Sequence, residues 1–231
     1  TWWAIGAALL LLGVALGWVA SSMRARPAAT AGNEQAVVSQ IGAPREVIAA
    51  FHDGFALSPD GSTLAFTARN ATGLRQIWIR RLDADQARPL AGTDGGLYPF
   101  WSPDSRTVAF FADAKLKRVD LDGSRLQMLT DTTGRLGSWN TRDEILYEET
   151  RGRQRLAIKI AAAGGAPVAL DGVGRAFGPI WLGDAARFLF MGGASDAEWG
   201  VRLASADFKS STLVAQLDPS VTEFTYAGGV L

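Results

Sequence analysis

Few side chains in this 231-residue sequence could do chemistry, and their spacing does not form a catalytic site. His52 is the single histidine, so it would have to be the base of any Ser-His-Asp arrangement, yet only Asp53 lies beside it and no particular serine is paired with it. The sequence contains no G-x-x-x-x-G-K-[ST] segment for phosphate binding and no G-x-S-x-G nucleophile elbow. It therefore predicts no catalytic residue and no cofactor.

Metal and nucleic-acid sites are equally poorly supported. There is no cysteine, and the segment Asp120–Gly123 (DLDG) resembles the start of a calcium loop without its third Asp or Asn and its distant Glu. We interpret this segment as a turn between two strands. The 23 Lys and Arg residues balance 23 Asp and Glu residues, so the clustered positive charge of a nucleic-acid binder is absent. The sequence predicts neither a metal site nor a nucleic-acid partner.

An apolar segment at residues 2–20 has no charged residue and carries tryptophans at both ends. As a helix it would be about 28 Å long, close to the thickness of the bilayer core, with its tryptophans at the two interfaces. A signal peptide, the alternative, usually has a shorter apolar core preceded by basic residues. We therefore predict a single membrane-spanning helix over residues 1–23, which makes the membrane a partner through residues 2–20, and a small polar linker over residues 24–36.

The orientation of this helix is less constrained. Arg24 and Arg26 alone would favour a cytoplasmic location for the residues that follow, but the positive-inside rule needs both flanks. The sequence begins at Thr1 inside the apolar pattern, which favours a fragment of a longer chain.

The rest of the sequence is a repeat of about forty residues. Four segments share one pattern: FALSPDGSTLAFTA from Phe55, FWSPDSRTVAFFA from Phe100, SWNTRDEILYEET from Ser138 and IWLGDAARFLFMG from Ile180. Tryptophan recurs at one position as Trp101, Trp139 and Trp181, with Leu57 in its place in the first copy, at intervals of 44, 38 and 42 residues. A period of this length indicates a solenoid, an array or a propeller.

Within each copy the apolar residues follow the two-residue period of strands, and turn residues separate them. Each copy predicts four strands, and one four-stranded sheet per repeat is a propeller blade. The fold class predicted is thus all-β, a propeller of four-stranded antiparallel blades. The residues expected to keep the repeat in shape are Pro59, Asp60, Gly61, Trp101, Pro103, Asp104, Trp139 and Trp181, the tryptophans by packing between neighbouring blades.

These residues also carry a family resemblance. The SPDG and SPDS turns, each followed by an apolar strand that ends in Ala-Phe, resemble the WD40-like β-propeller repeat of the TolB type over residues 51–231. The segment Gly92–Gly123 is similar to the propeller regions of bacterial transmembrane serine/threonine protein kinases, in which a cytoplasmic kinase domain precedes one membrane helix and an exported propeller. The third and fourth copies lack the Ser-Pro-Asp turn, and no kinase motif lies in the sequence.

The resemblance implies a ring of six blades in a propeller domain at residues 37–231. The expected blades are residues 51–94, 95–133, 134–173 and 174–217, with a partial blade at 218–231. Residues 37–50 could supply an additional strand that completes the last blade of a closed ring. The sequence would then be a piece of this ring, and the resemblance places the propeller outside the cytoplasmic membrane, in the periplasm or the extracellular space.

Loops that enter each blade surround one mouth of a propeller, where such scaffolds usually bind their ligands. We expect Tyr98, Arg135, Arg175 and Phe177 in these loops, and a protein or small-molecule ligand at this mouth.

Three functions remain open at this point. The first is the sensor or interaction part of a transmembrane kinase. The second is a TolB-like envelope interaction protein or the sensor of a membrane-bound winged-helix regulator. The third is the propeller of a serine peptidase.

Overall fold

The computed structural model describes residues 54–170, 175–193 and 195–221, and the backbone of Ile48–Ala49. These residues form seventeen strands and a single-turn 3-10 helix at Asp196–Glu198, which confirms the all-β class. Among them, no helix has the length and apolar character needed to cross a membrane. The predicted membrane helix, its linker and His52 lie outside the described residues.

The strands form four separate sheets that follow one another along the chain. Sheet 1 contains β1 (Ile48–Ala49), β2 (Phe55–Leu57), β3 (Thr63–Arg69), β4 (Arg75–Arg81) and β5 (Arg88–Pro89). Sheet 2 contains β6 (Leu97–Trp101), β7 (Thr107–Ala112), β8 (Lys115–Asp120) and β9 (Gln127–Asp131). Sheet 3 contains β10 (Arg135–Trp139), β11 (Glu144–Arg151), β12 (Gln154–Ala161) and β13 (Val168–Ala169). Sheet 4 contains β14 (Arg175–Trp181), β15 (Arg187–Gly193), β16 (Gly200–Ser205) and β17 (Ser211–Gln216).

Every pairing within these sheets is antiparallel. The pairings join consecutive strands, except that the extra strand β1 of sheet 1 pairs with β3. There β1 pairs with the end of β3 (Ile48 opposite Arg69), while β2 pairs with the beginning of the same strand. The additional strand expected within residues 37–50 therefore extends the first sheet in this structure. Apart from β1, each of the four consecutive antiparallel sheets has four strands, which agrees with the predicted fold class.

The first strands of the sheets, β2, β6, β10 and β14, contact one another in that order. We call them the inner strands. The sheets pack face to face, and the second strand of each is buried along most of its length. In sheets 2 and 3, alternate side chains of this strand point to the two neighbouring sheets. In β7, Phe110 packs against sheet 1 and Phe111 packs against sheet 3. This explains why the second strands read as nearly continuous apolar runs.

The turn from the inner strand to the second strand has the same form in all four sheets. The fourth residue after the tryptophan position has a positive φ in each: Gly61 (70°), Ser105 (60°), Asp143 (58°) and Ala185 (51°). The amide of this residue donates to a carbonyl three residues earlier, at 2.8–3.2 Å. The third and fourth copies, which lack Ser-Pro-Asp, therefore make this turn with other residues.

Side-chain acceptors hold the turn in each copy. Ser58 and Ser102 donate to Asp60 and Asp104 at 2.5 and 2.6 Å. These hydroxyl donors, together with nearby backbone N–H groups, lower the pKa of both aspartates. In the third copy the side-chain oxygen of Asn140 accepts two backbone N–H groups, and in the fourth that of Asp184 does so. The different sequences satisfy the same backbone groups.

Candidate functional site

The predicted mouth residues lie in the inner strands and not in the loops before them. Tyr98 is in β6, Arg135 is in β10, and Arg175 and Phe177 are in β14. The expected loop position is therefore wrong, because each inner strand begins earlier than the turn residues suggested. All four residues still lie at the start of an inner strand, the end opposite the turns described above.

Each of these strand starts contains a β-bulge. The pairing with the second strand shifts between Leu97 and Phe100, between Arg135 and Gly137, and between Phe177 and Ile180. A bulge bends the strand and changes the direction of its side chains, which is common beside binding sites.

The residue three positions before each tryptophan position has a positive φ. These residues are Tyr98 (49°), Leu136 (51°) and Gly178 (52°), and Gly54 (105°) is their equivalent in the first copy. A Cβ atom on Gly54 would lie 2.8 Å from the Cα of Tyr98, so glycine is needed there for close approach. Tyr98 and Leu136 adopt this conformation without being glycine, which costs free energy and marks the bulges as candidates for function.

A buried carboxylate joins the starts of the third and fourth inner strands. Glu148, in β11, is fully buried, and its Oε1 accepts hydrogen bonds from Arg135 Nε and Arg155 Nη1, both at 3.0 Å. Its Oε2 accepts the backbone N–H of Gly178 at 3.2 Å. Because a buried carboxylate needs such partners, Glu148 fixes both guanidinium groups and the bulge of β14.

Both arginines remain partly accessible to solvent. The exposed fraction of the side chain is 38% for Arg135 and 34% for Arg155. Burial disfavours the charged form of Arg135, but the carboxylate of Glu148 and the hydroxyl of Tyr98 outweigh it and raise the pKa of Arg135. Arg135 therefore stays charged with Tyr98 beside it.

Aromatic rings complete this arrangement. The guanidinium carbon of Arg155 lies 4.2 Å from the ring centroid of Phe177, and Phe177 meets Trp199 edge to face at 5.1 Å. Arg175 lies 5.1 Å over the ring of Trp199 and pairs with Asp196 at 2.9 Å.

The structure thus brings the predicted residues Tyr98, Arg135 and Phe177 together around Glu148, and connects Arg175 to them through Trp199. We call Tyr98, Arg135, Glu148, Arg155 and Phe177 the Glu148 cluster.

Sequence reasoning missed Glu148, Arg155 and Trp199. A signal for Glu148 was present, since the equivalent residues in the other three copies are Thr67, Phe111 and Met191, none of them charged. A carboxylate at a position that the repeat otherwise fills with uncharged, buried side chains indicates a specific partner.

The cluster has the chemistry of a binding site. Two arginines, a tyrosine and a phenylalanine meet at one place, and these side-chain types are common among residues that dominate protein interfaces. Among the described residues, no three acidic or histidine side chains are placed to hold a metal ion.

The residues expected to maintain the repeat lie in turns and between sheets. Pro59, Asp60 and Gly61 form the turn after β2, and Pro103 and Asp104 form the turn after β6. Trp101 packs between sheets 1 and 2, Trp139 between sheets 2 and 3, and Trp181 between sheets 3 and 4.

No family model matches the chain, and no curated protein matches it. Similar solved structures include TolB from Acinetobacter baumannii, which is 14% identical over 77% of this chain and 45% of that chain, with a TM-score of 0.62. A protein assigned as TolB from Agrobacterium tumefaciens is 16% identical over 68% of this chain and 62% of that chain, with a TM-score of 0.60. Oligogalacturonate lyase from Vibrio parahaemolyticus is 17% identical over 70% of this chain and 51% of that chain, with a TM-score of 0.54.

The chain spans less than two thirds of each of these three structures. At such identities the likeness concerns the fold. The described part of the chain therefore has the fold of the TolB-type β-propellers, with four-stranded antiparallel sheets as blades.

Proposed function

We propose that this chain is a protein-interaction module that binds its partner at the Glu148 cluster. The observation that carries the proposal is the buried carboxylate of Glu148, which holds two partly exposed arginines beside Tyr98 and Phe177 at the start of the inner strands. Side chains fixed in advance lose little conformational entropy when a partner docks. The TolB-like fold supports the proposal, because the starts of the inner strands then surround one mouth of the propeller.

Site-specific photo-crosslinking in cells tests this site. A photoreactive phenylalanine derivative placed at Tyr98 should form a discrete crosslinked species, because the aromatic ring stays at the partner surface. The same derivative at Arg106, an exposed residue in the turn after β6, serves as the matched control at the opposite end of the inner strands. The double substitution Arg135→Gln and Arg155→Gln, which removes both positive charges of the Glu148 cluster, should abolish the species at Tyr98. Equal crosslinking at both positions, or a species that survives the double substitution, would reject the Glu148 cluster as the binding site.

We further propose that residues 1–23 anchor the module in the cytoplasmic membrane, with residues 24–36 as linker and the propeller at 37–231 outside the cytoplasm. The uncharged segment at 2–20 supports the membrane anchor. The resemblance of Gly92–Gly123 to exported propellers supports a propeller outside the cytoplasm. Because the chain has no cysteine, a single Arg153→Cys substitution in the exposed turn after β11 gives a clean reporter. Labelling of intact cells by a membrane-impermeant maleimide is expected, and labelling only after lysis would place the propeller inside.

The proposed parent protein is a serine/threonine kinase whose sensor is this propeller. The order of membrane segment, linker and blades, together with the Gly92–Gly123 resemblance, supports it. The coding sequence upstream of Thr1 should then contain a Gly-rich loop, an HRD motif and a DFG motif. A TolB-like envelope interaction protein is the second candidate, supported by the two TolB structures, and an upstream sequence without kinase motifs would favour it.

A further inference from the structure

The three repeat tryptophans are buried to different extents. Trp101 is 5% exposed, and its Nε1 donates to the carbonyl of Ala56 in the preceding sheet at 2.9 Å. Trp181 is 7% exposed and packs edge to face on Phe188. Trp139 is only partly buried, and its Nε1 donates to Asp143 within its own turn at 3.2 Å. The interface between sheets 2 and 3 therefore departs from the repeat.

The residue that faces the tryptophan from the third strand of the preceding sheet also differs at this interface. This residue is Ile79 in sheet 1 and Arg118 in sheet 2, as the equivalent pairings with Ala65 and Ala109 show. Ile79 is buried in the same apolar core as Trp101. Arg118 lies 5.9 Å from the ring centroid of Trp139, near the outer limit of a cation–π contact. Lys159, at the same position before the buried Trp181, instead pairs with Glu144 at 3.3 Å. A cleft of about 460 Å³ lies between sheets 2 and 3 beside Arg118 and Trp139, within the range of small-ligand sites.

Arg118 has unused hydrogen-bonding capacity in this cleft. Its Nε donates to Gln127 at 3.0 Å. Within the described ranges, no carboxylate lies within 4.0 Å of Arg118, and nothing accepts from its two terminal nitrogens. Partly buried charged groups normally have such partners. The guanidinium is thus available to a ligand.

Two carboxylates also line the cleft. Asp104 and Asp143 line it, and each uses Oδ1 for bonds within its own turn, to Ser102 and Trp139 respectively. Their Oδ2 atoms accept no hydrogen bond from any residue in the described part of the chain. The exposed hydroxyl of Thr141 adds a group that can donate or accept.

We propose that this cleft binds a neutral sugar. A sugar ring has an apolar C–H face that suits the indole of Trp139, and its hydroxyl groups both donate and accept, as Asp104, Asp143 and Arg118 require. The two aspartates repel an anion. Arg118 can only donate, so it needs a ligand that also accepts hydrogen bonds, as a hydroxyl does and an ammonium group does not. The cleft lies at the turn ends of the inner strands, opposite the Glu148 cluster, so this proposal goes beyond the interaction site and is independent of it.

The test is saturation-transfer NMR on the full chain with the methyl glycosides of glucose, galactose, mannose and N-acetylglucosamine at millimolar concentrations. Lauryldimethylamine oxide keeps the apolar segment in solution without offering a sugar headgroup. At least one glycoside should receive saturation, strongest at its ring C–H protons. Arg118→Met should weaken binding at least tenfold, and Trp139→Phe should weaken it severalfold.

Lys159→Met is the matched control, because Lys159 occupies the equivalent third-strand position one sheet further along. Its binding should stay within twofold of the unsubstituted chain. Since methionine at position 118 resembles Ile79, this variant should keep its Tm, so a loss of binding would not reflect unfolding. The proposal fails if no glycoside binds, if both variants weaken binding equally, or if only charged probes such as galacturonate or methylammonium bind.

Discussion

The two ends of the inner strands differ in how much structure the four sheets share. At the turn end, all four sheets repeat one backbone conformation, and local side chains such as Ser58 and Asn140 satisfy its polar groups. At the start, the bulge recurs but its side chains do not, and Glu148 connects residues from different strands and sheets. The comparison indicates that the repeat keeps the backbone turn constant at one end, while the side chains at the other end differ from sheet to sheet.

The largest expected effect concerns the scaffold at the turn end. Trp101→Ala removes a nearly fully buried indole and should lower the free energy of unfolding by about 3–5 kcal/mol. Trp139→Ala should cost only about 1–2 kcal/mol, because part of that ring already contacts solvent. Urea unfolding followed by circular dichroism measures both. Equal losses would show that the interface between sheets 2 and 3 is packed as tightly as its neighbour.

Glu148→Ala should have the next largest effect. It leaves Arg135 and Arg155 without their shared carboxylate and the Gly178 amide without its acceptor. Removing one partner of a buried ion pair costs about 3–5 kcal/mol, and we expect about 2–4 kcal/mol here because both arginines are partly solvated. Urea unfolding again provides the measurement, with Glu198→Gln at an exposed site as control.

A triple substitution separates the contribution of the Glu148 cluster to stability from its contribution to binding. Glu148→Met with Arg135→Leu and Arg155→Met removes all three charges together, so no charge is left without its partner, and only the Gly178 amide loses its acceptor. This variant should be more stable than Glu148→Ala yet fail in the crosslinking assay at Tyr98. If the triple variant is the less stable of the two, the cluster serves the scaffold and not recognition.

A smaller effect is expected where the turn needs a positive φ. Gly61 has φ of 70°, and a Cβ there would meet nothing within 4 Å, so Gly61→Ala tests backbone conformation alone. We expect a loss of about 1 kcal/mol. Gly183→Ala, in the equivalent turn of sheet 4, is the control, because this glycine has open space and no positive φ. A similar loss in both variants would contradict the conformational explanation.

The smallest expected effect is a dependence of Tm on pH. The Ser102 hydroxyl lowers the pKa of Asp104, opposed only in part by burial. A carboxylate with a lowered pKa stabilises the fold above the pKa of the unfolded chain, near 3.9, and this stabilisation disappears as the pH falls through the folded-state value. Asp104→Asn should therefore reduce Tm at pH 7 but converge with the unsubstituted chain near pH 2. Thermal melts across this range would show parallel curves if the carboxylate had no such role.

Much of the fold could be predicted because its determinants are local. The recurrence of Trp101, Trp139 and Trp181 and the two-residue period of the strands predicted four-stranded sheets, which the structure confirms. The candidate site was predicted only in part. Tyr98, Arg135 and Phe177 were identified by their place in the repeat, but their contact with Glu148 depends on the bulges and on how neighbouring sheets pack.

The sequence by itself determined the strands, the turns and the order of the sheets, since hydrogen-bonding turns and alternating apolar residues act over a few neighbouring positions. Only the tertiary structure decided that Glu148 would meet Gly178 and Arg155, and that Arg118 and Trp139 would line one cleft. These contacts join residues from separate strands or sheets, so their energies depend on burial and orientation that no local pattern encodes.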